Sequence, residues 1–466
     1  MRDVRASACA AAACAAAACA AAACAAAACA AALIVLTAAG LAIPHPGHGV
    51  FGLGYGAALD GFVLVACLQG IVYFIAVTLL QRGAKMPRPS TILGVAFLLR
   101  LMVLVFPPFL SNDIYRYIWD GWVQLAGINP YRFIPDDPQL AFLRDAVVFP
   151  NINRASYAHT IYPPAAQIFF CASAAVTKFL HLPAVFGMKL AMVGIESIGI
   201  WAMLRLLDIA RLPRNRIMIY AWNPLPIWEF AGNGHVDAIA VGFIALALLA
   251  VASRRPGFGA AALAAAVLAK FLPVVLLPAL WRRENKFAAV FIAVILLLYL
   301  PYLSVGAQVF GFLGGYATQE NFSSGQGIFL LSLLGLAVPL PAIAAKFFSG
   351  ALILTLAGIA GAMLLSREPL SARLISRRSL LLGGVLMLGL SPHYPWYFAF
   401  LLVPACVAPS PAILYLVTAS FLLYLNPTHT GVFWPSLVFG PAAILAAWEF
   451  FTPHPAIAPV RQGAEI

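Results

Sequence analysis

Apolar residues run through this chain in long unbroken blocks, and polar residues are confined to short islands between them. A membrane span needs roughly 20 mostly apolar residues, and in lipid every backbone polar group must be paired internally, which makes such blocks helices. The blocks are too long and too unalternating for the ~10-residue in-out pattern of a membrane barrel. The pattern therefore predicts an all-α polytopic membrane protein with about twelve transmembrane helices and two re-entrant or half-depth segments.

Orientation follows from where the basic residues fall. Arg2 and Arg5, the stretch QRGAKMPRPS (Gln81–Ser90), Arg205–Arg216, Arg254–Arg255, Arg282–Lys286 and Arg367–Arg378 hold the basic runs. The positive-inside rule places all of them in the cytoplasm. Two segments then break a simple count of crossings: Tyr162–Leu180 must start and end outside, and Gly259–Trp281 must start and end inside. Both carry helix interrupters, Pro163-Pro164 in the first and Lys270–Pro273 in the second. Partial segments resolve the parity, since non-helical backbone is tolerated where protein or a cavity covers it.

With that topology every polar island lacking a basic run lies outside. The islands are SNDIYRYIWDG (Ser111–Gly121), IYPP (Ile161–Pro164), AGNGHVD (Ala231–Asp237), YATQENFSSGQG (Tyr316–Gly327) and SPHYPWY (Ser391–Tyr397). Five polar or aromatic segments on one face, two of them bearing His, point to one composite outward site. The segment 111–160 is the largest outer loop and is expected to hold short interfacial helices.

Composition strengthens this picture. Of 466 residues, 63% are hydrophobic and 9% charged, against about 25% charged in soluble domains; mean hydropathy is +0.94. The net charge of +12 is accounted for by cytoplasmic Lys and Arg, so nucleic acid is not an expected partner. Five of the eight Cys (Cys9, Cys14, Cys19, Cys24, Cys29) stand in a CAAAA repeat, and Cys67, Cys171 and Cys406 fall in apolar segments. That is neither a disulfide framework nor a zinc pattern. Three regions are expected: a low-complexity Ala/Cys segment (1–32), a catalytic membrane region (33–397), and C-terminal transmembrane helices with a short tail (398–466).

The islands hold the candidate chemistry. A helix over Ile114–Leu125 with Asn112 or Asp113 as N-cap would put Asp113, Arg116, Tyr117 and Asp120 on one face. Its two carboxylates would lie ~10 Å apart along the axis, too far to share a proton or one ion. Asp113, at the membrane edge, is the candidate general base; Asp120 would pair with Arg116 or hold a remote part of a substrate. The bland alternative is an interfacial amphipathic helix with a capping Asp. His235 and Asp237 fit a loop or helix start, with Asp237 near the N-terminus of the next span, where its charge is favoured. His393 is either an aromatic-belt anchor or a phosphate or sugar contact. A central Lys costs ~2.5–3.5 kcal/mol on insertion scales, so Lys270 either snorkels or meets an anionic head group. Arg100 and Glu196, also intramembrane, are expected to form a structural ion pair. No HExxH, Walker or GxSxG pattern is present among these motifs.

Taken in order, SNDIYRYIWDGWVQLAGINPYRFIPDDPQL, IYPP, GNGHVDAIAV, VLAKFLPVVLLPAL, ENFSSGQGIF and SPHYPWYF resemble bacterial GT-C membrane glycosyltransferases. The nearest groups are glycosyltransferase family 87 and the polyprenyl-phosphomannose-dependent α-mannosyltransferases. The resemblance implies a GT-C-like, inverting transferase in the bacterial inner membrane with its active site facing the periplasm. Its partners would be a polyprenyl-phosphate sugar donor (mannose by family), a glycan or glycolipid acceptor, and membrane lipids. It makes Asp113 the catalytic base and associates the GNGHVD segment and Lys270 with the donor site, while Arg116, His235, Lys270 and His393 are the supply of cations and donors for a departing phosphate. Asp120, Tyr162, Asn233, Asp237, Asn321 and Tyr394 become substrate contacts. The bare Asp-x-Asp or Asp-Glu pair of some branches is missing, since Asn112 precedes Asp113. No cofactor is therefore assigned, and an obligatory divalent metal is in question. Two rivals are a transporter or flippase of lipid-linked saccharides, which would show internal repeats and midplane charges, and a glycan polymerase or ligase, which shares the outer site.

Overall fold

A computed structural model describes residues 2–43, 55–84, 86–319, 325, 327–341, 343–426 and 431–452; the side chains of 2–20, 22, 316 and 317 are not described. Residues 44–54 and the expected substrate contact Asn321 lie outside the described residues. Among those described, the chain is helical throughout and forms no strand.

The longer helices are α1 (Arg2–Ala42), α2 (Tyr55–Gln81), α3 (Pro89–Leu104), α4 (Asp113–Leu125), α5 (Pro164–Phe179), α6 (Ala184–Ile209), α7 (Asp237–Ala252), α8 (Pro256–Ala269), α9 (Asn285–Tyr299), α10 (Ala344–Leu365), α11 (Ala372–Leu390), α12 (Pro411–Ala419) and α13 (Phe433–Phe451). Among the described residues six stretches are long and apolar enough to cross a membrane: Ala23–Ala42, Gly56–Gln81, Ala184–Ile209, Asn285–Gly315, Ala344–Leu365 and Phe433–Phe451. Five further apolar stretches are shorter: Pro89–Leu104, Asp237–Ala252, Pro256–Ala269, Pro395–Ala405 and Pro411–Leu425. Leu296, Ile353 and Ile444 stand exposed on α9, α10 and α13, an outward apolar surface suited to lipid and costly in water.

Proline sets where the interrupted segments begin and end. α5 starts at Pro164, whose missing N–H would have no partner in the first turn anyway. α8 stops before Lys270, which is extended (φ −156°, ψ 133°), and a 3-10 stretch Leu272–Leu276 follows across Pro273. α7 (16 residues) and α8 (14 residues) form a hairpin turned at Arg254–Arg255. Their rises of roughly 24 and 21 Å bring Asp237 and Lys270 to the same level. After Lys270 the chain comes back to the level of that turn, because a side chain on Gly257 would sit 3.5 Å from Lys286 Cε at the start of α9. The helices thus break at the two interrupters, at Pro163-Pro164 and at Lys270–Pro273.

α6 crosses α7 closely at Gly199 and Gly242: a Cβ on Gly199 would lie 3.1 Å from Gly242 Cα, and one on Gly242 would lie 2.8 Å from Ile195 O. Small residues at such crossings let backbones touch and gain dispersion energy where lipid offers no hydrophobic drive. Inside the bundle Arg100 binds Glu196 through both ends of its guanidinium, Nε–Oε2 2.9 Å and Nη2–Oε1 2.7 Å. This is the structural pair expected from two isolated intramembrane charges.

Candidate active site

The segment joining α3 to α4 is clamped on both sides before it delivers Asp113. Lys189, buried on α6, donates to Val103 O (3.0 Å) and Phe106 O (2.7 Å), carbonyls at and just past the end of α3, where the intrahelical bonding runs out. Asn233 Oδ1 accepts from the backbone N–H groups of Phe109 (3.0 Å) and Leu110 (2.9 Å), and its Nδ2 donates to Trp228 O (3.0 Å) and Glu229 Oε2 (3.3 Å). Every polar atom of this amide is in use, so Asn233 acts in the apoprotein as a brace rather than an open contact. Gly234 completes the brace with φ +71°; a Cβ there would fall 2.5 Å from Ile114 Cδ1. Only glycine meets both the left-handed backbone and the missing space.

α4 begins as the sequence spacing required, at Asp113. Asn112 holds the N-cap position without a side-chain cap bond, because Asn153 Nδ2 donates to Asn112 Oδ1 (3.0 Å) and to Asp113 Oδ1 (2.7 Å). Asp113 is half-buried, and its negative charge in the first turn is favoured by the helix dipole. Two turns on, Asp120 is buried and engaged on both oxygens. Oδ1 accepts from Arg116 Nε (2.8 Å), and Oδ2 from Gln167 Nε2 (2.9 Å) and the Thr160 hydroxyl. Arg116 Nη1 donates to Ala158 O (3.0 Å), whereas Nη2 is buried with no partner among the described residues. The two carboxylates on one helix face are thus built for different tasks. Tyr117, buried between them, stacks on Phe170 (4.7 Å between centroids) and meets the edge of Tyr162 (4.8 Å).

The second wall comes from the stretch before α7. Ile227–Gly232 is π-helical, a form that recurs at functional sites. It carries Glu229, fully buried, with Tyr424 Oη donating to Oε1 at 2.7 Å. His235 is buried in the turn that follows, its Nε2 3.5 Å from Glu229 Oε2 and its ring stacked on Trp396 with centroids 3.9 Å apart. Burial and the nearby Lys270 ammonium hold this imidazole well below its usual pKa range, so it is neutral at pH 7 in the unliganded protein. Asp237 opens α7 and accepts from Lys270 Nζ at 2.7 Å. That ammonium also sits 3.9 Å from the centre of the Tyr397 ring. Tyr394 stacks on Trp396 (4.6 Å). Asp113 lies within electrostatic reach of Asp237 and Glu229, which joins the two walls.

His393 sits slightly apart. Its Nε2 is 2.9 Å from Gly327 O, and it lines a small cavity with Phe329, Ser391 and Asn426. The structure therefore brings Asp113, His235, Asp237, Lys270 and Tyr394 into one cluster. It attaches Arg116, Asp120, Tyr162 and Asn233 to that cluster through bonded or stacked neighbours, and sets His393 on an adjoining cavity. Glu229, Tyr424, Trp396 and Lys189 belong to the same assembly without having been candidates. A carboxylate and an ammonium inside apolar runs are rare enough to flag Glu229 and Lys189; nothing local flags Tyr424. Among the described residues no three His, Cys, Asp or Glu side chains gather as a metal-ligand set.

A family model described as alpha-(1->6)-mannopyranosyltransferase, N-terminal domain (MptA_B family), matches residues 13–282. The chain belongs to that family. The match spans more than half of the 466 residues and takes in Asp113, Arg116, Asp120, Tyr162, Asn233, His235, Asp237 and Lys270. It bears out the resemblance to family 87 mannosyltransferases drawn from the motifs. The chain is accordingly a membrane glycosyltransferase of mannose. No curated protein and no solved structure matches it.

Proposed function

We propose that this family member is a GT-C-like transferase that moves mannose from polyprenyl-phosphomannose to a glycan or glycolipid acceptor, with inversion, at the periplasmic face of a bacterial inner membrane. Asp113 is its general base. The acceptor hydroxyl loses its proton to the Asp113 carboxylate as its oxygen bonds to mannose C1. The bond from C1 to the phosphate oxygen breaks, and its electron pair leaves on polyprenyl phosphate. Charge then grows on the phosphate, where preorganised donors are most effective. Lys270, His235, Arg116 Nη2 and His393 are that supply, while Tyr162, Tyr394 and Asn321 contact the sugars. Asp237 aims Lys270, and Asp120 and Asn233 hold the walls. Activated nucleotide sugars are cytoplasmic, so an outward site takes a lipid-borne donor. In this reading the chain crosses the membrane about twelve times, with Tyr162–Leu180 and Gly259–Trp281 as partial segments.

The observation that carries the reading is the Asp237–Lys270 pair (2.7 Å) at the start of α7, with Asp113 at the start of α4 within electrostatic reach of Asp237. A carboxylate and a cation in one cluster suit a displacement at C1. The test is transfer by purified protein from radiolabelled polyprenyl-phosphomannose to membrane glycolipids, with the product anomer read by NMR. The inverted mannoside and free polyprenyl phosphate are expected; movement of the donor across vesicles without transfer would establish the flippase instead. Orientation has its own check. Ser324→Cys in a background freed of native cysteines should react with an impermeant thiol reagent in intact cells, and protection until lysis would contradict an outer site.

A further inference from the structure

Glu229 is a fully buried carboxylate to which the transfer chemistry above gives no task. It is anchored firmly: Oε1 accepts from Tyr424 Oη (2.7 Å) and Oε2 from Asn233 Nδ2 (3.3 Å). His235 hangs loosely beside it, with Nε2 3.5 Å from Oε2. Neither ring nitrogen of His235 has a hydrogen-bond partner among the described residues, although buried polar groups nearly always do. Its ring lies over the Trp396 indole at 3.9 Å and 22°, a surface that favours a cationic ring. In unliganded enzymes such catalytic bonds are often long and tighten only when substrate is bound.

These are the parts of an imidazolium site that only an anion completes. We infer that Glu229 is a positioning residue for transfer: it takes the Nε2–H of His235 and balances its positive charge, so that Nδ1–H is presented to the departing phosphate. The inference rests on the reading of His235 as a phosphate ligand. No bond to Glu229 forms or breaks. The electron pair from C1 goes to the phosphate oxygen, which accepts from Nδ1–H, and the acceptor proton goes to Asp113. The ionisable groups acting on the imidazole are Glu229 from its own stretch and Lys270 from the end of α8, the latter bonded to Asp237. Asp113 and Tyr424 act on Glu229, and Lys189 packs beneath Gly234. Lys270 opposes a second cation at His235, and Glu229 offsets it.

The test is the pH dependence of kcat and KM for mannose transfer in Glu229→Gln and Tyr424→Phe. Glu229→Gln keeps the shape and removes the carboxyl group that would take up the imidazolium charge when His235 gains its proton beside the phosphate. It should lower kcat roughly 10²-fold, leave KM nearly unchanged, and move the alkaline fall in rate to lower pH. Tyr424→Phe should move the same limb in the same direction by less. A folded Glu229→Gln enzyme with the wild-type limb overturns the inference. If that variant does not insert, a wild-type limb in Tyr424→Phe overturns it equally, and a shifted limb supports it. Transfer with an unshifted limb refutes only the role of Glu229, whereas a wild-type protein that transfers no mannose from the lipid donor removes the donor assignment and this inference together.

Discussion

Arg100–Glu196 and Asp237–Lys270 are both ion pairs within the helical bundle, and they are finished to different degrees. Arg100 meets Glu196 through two bonds, and its remaining nitrogen donates to Ala96 O (3.1 Å) and Ala221 O (3.0 Å). Tyr220 Oη adds a third donor to Glu196 (3.0 Å), and the two side chains are 4% and 0% exposed. Among the described residues Lys270 makes one hydrogen bond, to Asp237, and it retains 18% of its side-chain surface. An ammonium carries three donors, so this pair keeps capacity that the first has spent. The closed Arg100–Glu196 cluster holds the bundle together, whereas Lys270 and His235 keep donor capacity within the candidate site.

The contrast makes ordered predictions. Glu196→Gln strips the counter-charge from a buried guanidinium, which costs about 3–5 kcal/mol. Thermal unfolding in detergent should show a large loss of stability, while the surviving protein keeps its specific activity; unchanged stability would break the comparison from the structural side. Lys270→Met should act the other way, with a fall in kcat of roughly 10²-fold at nearly wild-type stability. A melting loss rivalling that of Glu196→Gln would make this pair structural too. Asp120→Asn should have the smallest effect on transfer; it too strips a counter-charge from a buried guanidinium, that of Arg116, at a stability cost of about 3–5 kcal/mol. It would appear as faster proteolysis of the 111–160 loop with transfer reduced less than in Lys270→Met; loss of transfer without loop opening would move Asp120 into the reacting site.

Much of this was legible in the residue pattern because the signals are local. The helix from Asp113 follows from the spacing of Asp113, Arg116, Tyr117 and Asp120, and the break at Lys270 from Pro273. The Arg100–Glu196 pair follows from the rarity of charge inside apolar runs. What could not be read depends on partners far along the chain. Asn233 looks like an open polar contact until its amide is seen bonded to Phe109 and Leu110, and Asp120 looks available until Thr160 and Gln167 reach it. Glu229 and His235 are six apart, a spacing that ordinary helical geometry turns away from one face; the turn through left-handed Gly234, in which the His235 N–H donates to Glu229 O at 2.9 Å, brings them together. Tyr424 joins that pair from nearly 200 positions further on.

The central claim is that Asp113, half-buried at the start of the outer helix, takes the acceptor proton. Asp113→Asn preserves the shape and the bond to Asn153, so it isolates the chemistry. Purified in parallel with the wild type and supplied with polyprenyl-phosphomannose and acceptor, it should insert, melt and bind donor normally while transfer falls by at least ~10²-fold at every pH. Near-normal transfer by that variant would contradict the account.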